Sequence, residues 1–559
     1  MVPAESGDKI PAVRLALPPP LRRPLPSAAA LLLLLVGLSL LLDPRGTLGT
    51  DTGAKVHTLE VMDQAGTARP VVGYWAEEWD PAGVVHPLYQ SRRNDDGEWV
   101  AVTTLPFLEA ARPLYAWGGY RLALLLPMAG TVAAALIAGA LARRLGGGDG
   151  ALAFWVIGVA SPLLLYGLDL WEHSLGVAAI AGAVLLLVDH LYRTARWWQP
   201  LAAGVLLGAA ATMRTEAFVY GVVAVGVTGI VLVSRQRLGA AASALLLAVI
   251  GFLLPWVANR WLEVAVGGQS RTGRASDAVG DAGARVGDRV QQAAVTALGI
   301  RGESWGSVLV GAAIVGVVVL AVRAERRGDR RFAAVAAGLA ALPYLLVALS
   351  GLSFLPGLFA AFPLAVLALL RRPRGAAGLV VAIALGALPL VWALSYVGGA
   401  GPQWGGRYVL TSGLLLGVVA TVDLQRRHPV VGPALVAVCV GISALSVGWL
   451  AVRSREVDEL FADLRAVDAD VVIVREGFLL REGGAATVDQ PWLSATSDDG
   501  FATATEVAEA AGARRVAVVQ AGDAAPPADR LPADWVELER AATDFVGTDV
   551  GIVVYEVTG

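Results

Sequence analysis

The chain contains few of the residue types that form disulfides, thiolate metal sites or nucleotide-binding loops. Only one of its 559 residues is a cysteine, which excludes a disulfide within the chain. Cys439 lies in an apolar segment, where a thiol packs like a small hydrophobic side chain. The sequence has no P-loop, no glycine-rich dinucleotide turn and no nucleophile elbow. These absences argue against chemistry driven by a nucleotide.

Charge is also scarce. Charged residues make up 16% of the chain and hydrophobic residues 56%, and the mean hydropathy is +0.62. A soluble domain has about a quarter charged residues, so most of this chain is predicted to lie in lipid. The apolar runs predict about thirteen spans, which are helical because lipid offers the backbone no other hydrogen-bond partner. The predicted spans are residues 25–42, 117–141, 151–166, 174–188, 201–213 (short enough to be re-entrant instead), 217–233, 239–257, 308–322, 332–349, 354–370, 376–397, 408–422 and 430–452.

Arginine clusters occur in alternate connections between these spans. By the positive-inside rule such connections are cytoplasmic, which places the N-terminus inside and, after an odd number of spans, the C-terminus outside. No small-x-small cleavage site follows the first apolar run, so we interpret that run as a retained anchor rather than a signal peptide. The clusters are Arg22/Arg23, Arg143/Arg144, Arg193/Arg196, Arg235/Arg237, Arg323/Arg326/Arg327/Arg330/Arg331, Arg371/Arg372/Arg374 and Arg426/Arg427.

The chain is predicted to be a protein of the plasma membrane and to have three parts. These are a cytoplasmic tail (1–24), a transmembrane domain (25–452) with outer loops 43–116 and 258–303, and an extracytoplasmic α/β domain (453–559). The last part has 21 acidic residues against 9 arginines, which keeps it away from anionic lipid and nucleic acid. Its periodicity predicts helices at 456–467 and 502–511, and strands at 470–474, 515–520 and 551–557.

Lysine occurs only at Lys9 and Lys55. A lysine retained at position 55, in a chain that otherwise uses arginine, indicates that a compact point charge is wanted there. Asp51 precedes it by four residues, so the two side chains suit an ion pair on a helix, and Asp51 also suits a helix N-cap. Alternatively, Asp51 is a general base beside a phosphate-binding cation. The cap and the base are compatible roles, because a cap fixes the direction of a carboxylate.

Three other connections bring charge to the same predicted side. Asp169, Glu172 and His173 share one helical face, where they can hold a divalent cation such as Mg²⁺ or Mn²⁺, share a proton, or form a solvated turn. Arg214 follows a span rich in glycine and alanine, and either binds a lipid phosphate or pairs with Glu216. The fourth connection holds Trp404, a glycine pair, Arg407 and Tyr408, which suit either a close ligand contact or an interfacial anchor. Charge at a membrane edge is costly, and it marks a site or a pathway.

Five segments within residues 28–452 carry a family resemblance through their order, spacing and shared side. They are the acidic residue of the first outer loop (Asp51), the stretch 103–121 with Pro106, Pro113 and Gly118/Gly119, Asp169 with Glu172-His173, Gly204…Gly208…Arg214-Thr215-Glu216, and Trp404-Gly405-Gly406-Arg407-Tyr408. Together they resemble the GT-C superfamily of integral membrane glycosyltransferases, of the mannosyltransferase and aminoarabinose-transferase type. Many members have paired acids in the first loop, whereas here Thr52 follows Asp51. The identity of the base and the need for a metal therefore stay open.

The resemblance implies a mainly α fold, with a polytopic helix bundle, an outer-face cavity and a small C-terminal α/β domain. It also implies transfer of a hexose or pentose from a polyprenyl phosphate to a cell-envelope glycan, lipid or protein acceptor. Asp51 is expected to be the base, while Asp169 or Glu172 orients the acceptor or helps to hold a cation; a one-step displacement inverts the anomeric centre. The residues expected to bind substrate are Lys55, Arg214 and Arg407, at the lipid phosphate, with His173, Glu216, Trp404 and Tyr408.

Two other classes of protein fit parts of the pattern. A transporter or flippase of lipid-linked sugars would line its path with the same charges, although the hydropathy pattern shows no internal repeat. A non-catalytic membrane protein that presents a partner-binding tail would account for the acidic C-terminal part. It would leave the charged span ends unexplained.

Overall fold

The computed structural model describes most of the chain. The described residues are 18–42, 50–88, 91–148, 150–267, 286–301, 304–349, 355–370, 372–394, 403–522, 530–545 and 548–558. Most of the predicted cytoplasmic tail and parts of the predicted outer loops 43–116 and 258–303 lie outside these residues.

The described residues between positions 24 and 466 are mainly helical, as expected of apolar segments whose backbone groups bond within the helix. The helices of this part, long and short, are α1 (Pro24–Leu42), α2 (Thr50–Gln64), α3 (Leu105–Ala123), α4 (Leu125–Arg144), α5 (Ala151–Val159), α6 (Leu163–Tyr166), α7 (His173–Tyr192), α8 (Trp198–Met213), α9 (Glu216–Ser234), α10 (Leu238–Gly267), α11 (Val286–Leu298), α12 (Trp305–Arg326), α13 (Arg330–Leu339), α14 (Leu342–Leu349), α15 (Leu358–Ala361), α16 (Gly375–Leu394), α17 (Leu410–Arg427) and α18 (Val431–Ala466). Short 3₁₀ turns lie at Pro19–Arg22, Pro363–Leu369 and Arg407–Val409.

Ten helical segments among the described residues are long and apolar enough to cross a membrane. The chain is therefore an integral multi-pass membrane protein, and each of these ten described segments overlaps one of the predicted spans. The other three predicted spans are helical but short. Segment 151–166 is interrupted between α5 and α6, 201–213 lies in the 16-residue α8, and 354–370 forms α15 followed by a 3₁₀ turn.

The two ends of the bundle differ in charge. Helices α4, α7, α9 and α17 all finish at one end, which we call the arginine end, because an arginine lies in or just after the last turn of each. Several of these arginines contact neighbouring helices. Arg144 lies 2.5 Å from the Asp189 carboxylate, Arg235 donates to the carbonyl of Leu191, and Arg426 donates to the carbonyl of Gly146. The opposite end, which we call the domain end, adjoins the C-terminal domain.

The C-terminal domain contains a five-stranded mixed sheet. Its strands are β3 (Val471–Val474), β4 (Trp492–Ser494), β5 (Arg515–Ala521), β6 (Trp535–Phe545) and β7 (Thr548–Val557), after β1 (Ser91–Arg93) and β2 (Trp99–Ala101) of the first loop. The order is β4-β3-β5-β7-β6, parallel from β4 to β5 and antiparallel beyond. Helices α19 (Gly477–Glu482) and α20 (Asp498–Ala510) and the 3₁₀ turn Gly484–Thr487 complete it. The predicted helix 456–467 is the end of α18, which runs unbroken from the membrane span into this domain.

The first loop and the C-terminal domain share one hydrophobic core. Tyr74 and Trp99 from the loop are buried together with Ile473 and Phe501 from the domain. The Trp75 indole donates to the carbonyl of Trp492 at 2.9 Å, and the Ser494 amide donates to the carbonyl of Val85 at 2.9 Å. Two segments separated by hundreds of residues thus fold as one unit at the domain end of the bundle.

Helices α8 and α10 pack through glycines. A Cβ atom added at Gly204 or Gly208 would overlap a backbone carbonyl of α10, and one added at Gly251 would overlap the Leu201 carbonyl. Small residues allow the two backbones to approach closely. In lipid, where apolar side chains gain little by leaving the solvent, this close packing stabilises the association of the helices.

Gly208→Ala is expected to destabilise the membrane domain by about 1–3 kcal/mol, because the methyl group meets the Phe252 carbonyl and the two helices must separate. Unfolding in mixed micelles would measure this change. Gly229→Ala in α9 is the matched control, since no atom lies within 4 Å of the added methyl. Equal stability of the two variants would contradict the packing described.

Candidate active site

Four connections meet at the domain end, and each contributes charged or aromatic side chains. The first two turns of α2, the α6–α7 connection, the α8–α9 connection and the turn before α17 contain the ten residues expected from the sequence. Contacts among these segments join the charged residues, whereas Trp404 packs against α18. These are Asp51, Lys55, Asp169, Glu172, His173, Arg214, Glu216, Trp404, Arg407 and Tyr408.

A buried carboxylate joins two of the cations. Glu172 accepts from the Lys55 ammonium at 2.5 Å through one oxygen and from Arg214 Nη1 at 3.1 Å through the other. Arg214 Nε also donates to Glu216 at 2.8 Å. The four side chains are at most 8% exposed. Two cations and two anions balance, which a buried network requires because an unpaired charge there is costly.

The pKa of Glu172 reflects this balance. Burial alone would raise it, but the attraction of Lys55 and Arg214 outweighs burial and lowers the pKa from 4.5 to about 2. The carboxylate is therefore ionised throughout the physiological range. Its contribution to stability is complete above an unfolded-state pKa of 4.5 and is lost as the pH falls through about 2.

Asp169 is held by neutral donors. It accepts from the Thr52 hydroxyl at 3.0 Å, the Tyr120 hydroxyl at 2.9 Å and the Leu170 amide at 2.8 Å. Burial, followed by the neighbouring Asp169 carboxylate, raises the pKa of Tyr120, so the phenol stays protonated and donates. Asp169 therefore connects α2 with α3. The sequence pattern does not identify Thr52 or Tyr120 as members of the site.

Asp51 and Arg407 form the most accessible ion pair of the site. The Arg407 guanidinium bonds to the Asp51 carboxylate, and these side chains remain 12% and 22% exposed respectively. Arg407 Nε also donates to His173 Nε2 at 3.2 Å, so that nitrogen is unprotonated and the imidazole is neutral. Asp51 lies in the first turn of α2, where the helix dipole also favours a carboxylate.

Aromatic rings form one wall around Arg407. The guanidinium lies 4.7 Å from the Trp171 ring and 5.3 Å from the Tyr408 ring, within cation–π range. Trp171 in turn stacks on His173 and Tyr166, with ring centroids 4.4 and 5.5 Å apart. Trp171 and Tyr166 were not among the expected site residues, although both lie in the connection that the charges identified.

A glycine pair places Arg407. Gly405 and Gly406 have φ angles of +86° and +70°, a region that side chains disfavour. A Cβ atom at Gly406 would lie 2.9 Å from the carbonyl oxygen of Thr296, so the turn also needs glycine for space. Trp404 packs against Trp449 of α18 at 5.7 Å between rings. The turn therefore places the Arg407 guanidinium next to the Asp51 carboxylate.

The residues in this arrangement do not fit a divalent cation. Within the described part of the chain, no three His, Cys, Asp or Glu side chains are grouped so as to hold a metal ion. Both oxygens of Glu172 face cations, Asp169 faces hydrogen-bond donors, and His173 Nε2 accepts from Arg407. None of these side chains is therefore assigned a role in metal binding.

The spacing of Asp51 and Lys55 suggested an ion pair between them. The structure pairs Lys55 with Glu172 and Asp51 with Arg407. Both members of the predicted pair thus engage residues from other connections.

Glu172→Gln is expected to lower the free energy of unfolding by about 3–5 kcal/mol, because it leaves an uncompensated buried cation. The double variant Lys55→Met/Glu172→Gln retains Arg214 with Glu216 and is expected to lose less than the sum of the single variants. Chemical unfolding in micelles measures all three. Glu109→Gln, which breaks the more exposed pair with Arg112, is the control and costs about 0–1 kcal/mol. Strict additivity of the two single changes would contradict the shared network.

Comparison with known proteins gives a structural match only. No protein-family model and no curated protein sequence matches the chain. The crystal structure of ArnT from Cupriavidus metallidurans bound to undecaprenyl phosphate is similar, at 12% identity and a TM-score of 0.50, covering 94% of this chain and 97% of that one. The oligosaccharyltransferase of Archaeoglobus fulgidus matches at 13% identity and a TM-score of 0.40, covering 87% and 67%. With its helix bundle and C-terminal mixed sheet, the chain shares the GT-C-like fold of that ArnT structure.

Proposed function

We propose that this protein is a membrane glycosyltransferase that transfers a sugar from a polyprenyl-phosphate donor to an acceptor hydroxyl. The observation that carries the proposal is the accessible Asp51–Arg407 pair. It sets a carboxylate beside a guanidinium, and these are the two groups that the reaction needs. The more deeply buried charges around it bond to one another and leave only Nη2 of Arg214 without an acceptor among the described residues.

The reaction assigns a role to each member of the pair. The acceptor oxygen attacks the anomeric carbon, and the bond from that carbon to the phosphate oxygen breaks. The Asp51 carboxylate takes the acceptor proton, and the polyprenyl phosphate leaves with the bonding electrons. Arg407 stabilises the charge that develops on the departing phosphate. A single displacement of this kind inverts the anomeric centre.

Arg214 is a second candidate for the donor phosphate. Among the described residues its buried Nη2 has no hydrogen-bond acceptor. An orphaned buried donor is costly, and a phosphate oxygen would satisfy it. Lys55, in contrast, is held by Glu172, so we assign it a positioning role. Asp169 and Glu172 likewise position α2 and the cations rather than take the proton.

Two further observations support a polyprenyl donor and an extracytoplasmic site. The fold matches that of ArnT, whose crystal structure holds undecaprenyl phosphate. The arginine clusters lie at the end of the bundle opposite the site, and the positive-inside rule assigns such an end to the cytoplasm. The domain end would then face outward, where lipid-linked sugars meet cell-envelope acceptors.

Asp51→Asn is expected to lower kcat by about 10²–10⁴-fold, because an amide cannot take the acceptor proton. The measurement is transfer of radiolabelled sugar from polyprenyl-phosphate donors by the purified protein in lipid nanodiscs. Asp63→Asn removes an exposed carboxylate from the same helix and is expected to behave as the unaltered protein. Full turnover by a folded Asp51→Asn variant would exclude Asp51 as the base. Movement of lipid-linked sugar across vesicles without any glycoside product would favour a transporter.

Arg407→Gln is expected to raise the donor KM by about ten- to a hundredfold, since a charge-assisted bond to phosphate contributes about 1.5–3 kcal/mol. Arg407→Lys is not expected to restore it, because a point charge cannot replace the planar fork between two aromatic rings. Initial rates at varied donor concentration measure the effect. Arg374→Gln, which removes an exposed arginine in one of the arginine clusters, is the control. An unchanged donor KM in Arg407→Gln would place the phosphate elsewhere.

A further inference from the structure

Helix α2 lies between the bundle and the C-terminal domain. Asp51, Thr52 and Lys55 project to the site, where they bond to Arg407, Asp169 and Glu172. Gly53, Val56 and His57 share another face of the helix, because residues three and four apart lie together. That face contacts α19 and the 3₁₀ turn Gly484–Thr487 of the C-terminal domain. The helix that carries the proposed base is therefore held from two sides.

The contact at Gly53 needs glycine. A Cβ atom built there would overlap the carbonyl of Arg481, at the end of α19. On the other side, Gly484 faces α2 with its Cβ position 3.9 Å from the Gly53 Cα, and it has a φ of +53°. The two backbones thus approach more closely than side chains permit. Any larger residue at position 53 must move α2 away from α19.

One buried hydrogen bond fixes the rotation of α2 against the domain. His57 Nδ1 lies 2.8 Å from the Thr487 hydroxyl oxygen, whose single proton is donated to the Gly484 carbonyl at 2.7 Å. The hydroxyl oxygen therefore accepts, and His57 Nδ1 donates. Burial, and then the nearby His86, lower the pKa of His57 to about 4, so the ring is neutral and the direction of the bond is constant at physiological pH.

The domain surface that holds α2 is itself tied to the bundle. Glu482, at the end of α19, is buried and accepts from Arg453 of α18 at 2.6 Å. The loop that follows α2 enters the core of the domain through Tyr74 and Trp99. The domain thus has fixed connections to the bundle on both sides of its contact with α2.

We propose that the C-terminal domain is a positioning element of the active site, which sets the place of Asp51 and Lys55 through Gly53, His57 and Thr487. This inference rests on the proposed function of Asp51. A displacement of about 1 Å at a reacting group can lower a rate by about a hundredfold. A domain that contributes no group to the chemistry can therefore control kcat through the backbone of α2.

Gly53→Ala tests the contact in the full-length protein in nanodiscs. We expect kcat to fall by at least about tenfold, with the donor KM within about twofold of normal, because Arg407 lies on another segment. Gly448→Ala in α18, where no atom lies within 4 Å of the new methyl, is the matched control and keeps normal kinetics. Rates are compared per monodisperse folded molecule, so a purely structural role would leave kcat unchanged. That result would overturn the proposal.

Thr487→Val provides a second test that does not alter the backbone contact. The valine cannot accept from His57, and kcat is expected to fall by about three- to tenfold. Thr487→Ser restores the hydroxyl and is expected to restore kcat, which separates the hydrogen bond from packing. Equal kcat for the valine and serine variants would contradict the proposed role of the bond.

The two proposals fail in different ways. If the unaltered protein transfers no sugar from any polyprenyl-phosphate donor, the proposed function fails. If it transfers sugar and Gly53→Ala leaves kcat unchanged, the function stands and the positioning role of the domain is wrong.

Discussion

The carboxylate of Glu172, shared between Lys55 and Arg214, is the contact on which the rest of the site depends. It joins α2, the start of α7 and the α8–α9 connection in a place almost closed to water. Removing any one charge would unbalance the two cations and two anions in this buried place. The network therefore fixes where these three segments meet. It also explains why the only lysine of the described chain is 2% exposed.

The charges of the site divide into two groups by exposure. The buried group binds the segments together, and the Asp51–Arg407 pair, which is more accessible, is the one that we propose meets substrate. Because Asp51 stands one turn before Lys55 on α2, the buried group sets the position of the accessible one. The C-terminal domain holds the same helix from another face through Gly53 and His57. The helix bundle and the C-terminal domain thus both hold the short helix α2 in place.

The sequence predicted the broad arrangement but not the contacts. Hydropathy found the ten long spans, and the arginine pattern brought four polar connections to one end of the bundle. It did not separate long spans from the interrupted pair α5 and α6, because mean hydropathy is insensitive to the break at Ser161-Pro162. Local spacing suggested that Asp51 pairs with Lys55, whereas their partners Arg407 and Glu172 are 356 and 117 residues away. Tyr120 joined the site through tertiary packing that no local pattern encodes.

We propose above that Arg407 binds the donor phosphate beside Asp51, the base for the acceptor. This proposal is tested most directly by a cryo-electron microscopy structure of the protein in nanodiscs with bound undecaprenyl phosphate. We expect a phosphate within hydrogen-bonding distance of the Arg407 guanidinium, with the Asp51 carboxylate released toward the open side of the site. A phosphate bound at the arginine end of the bundle, with the Asp51–Arg407 pair intact, would contradict it.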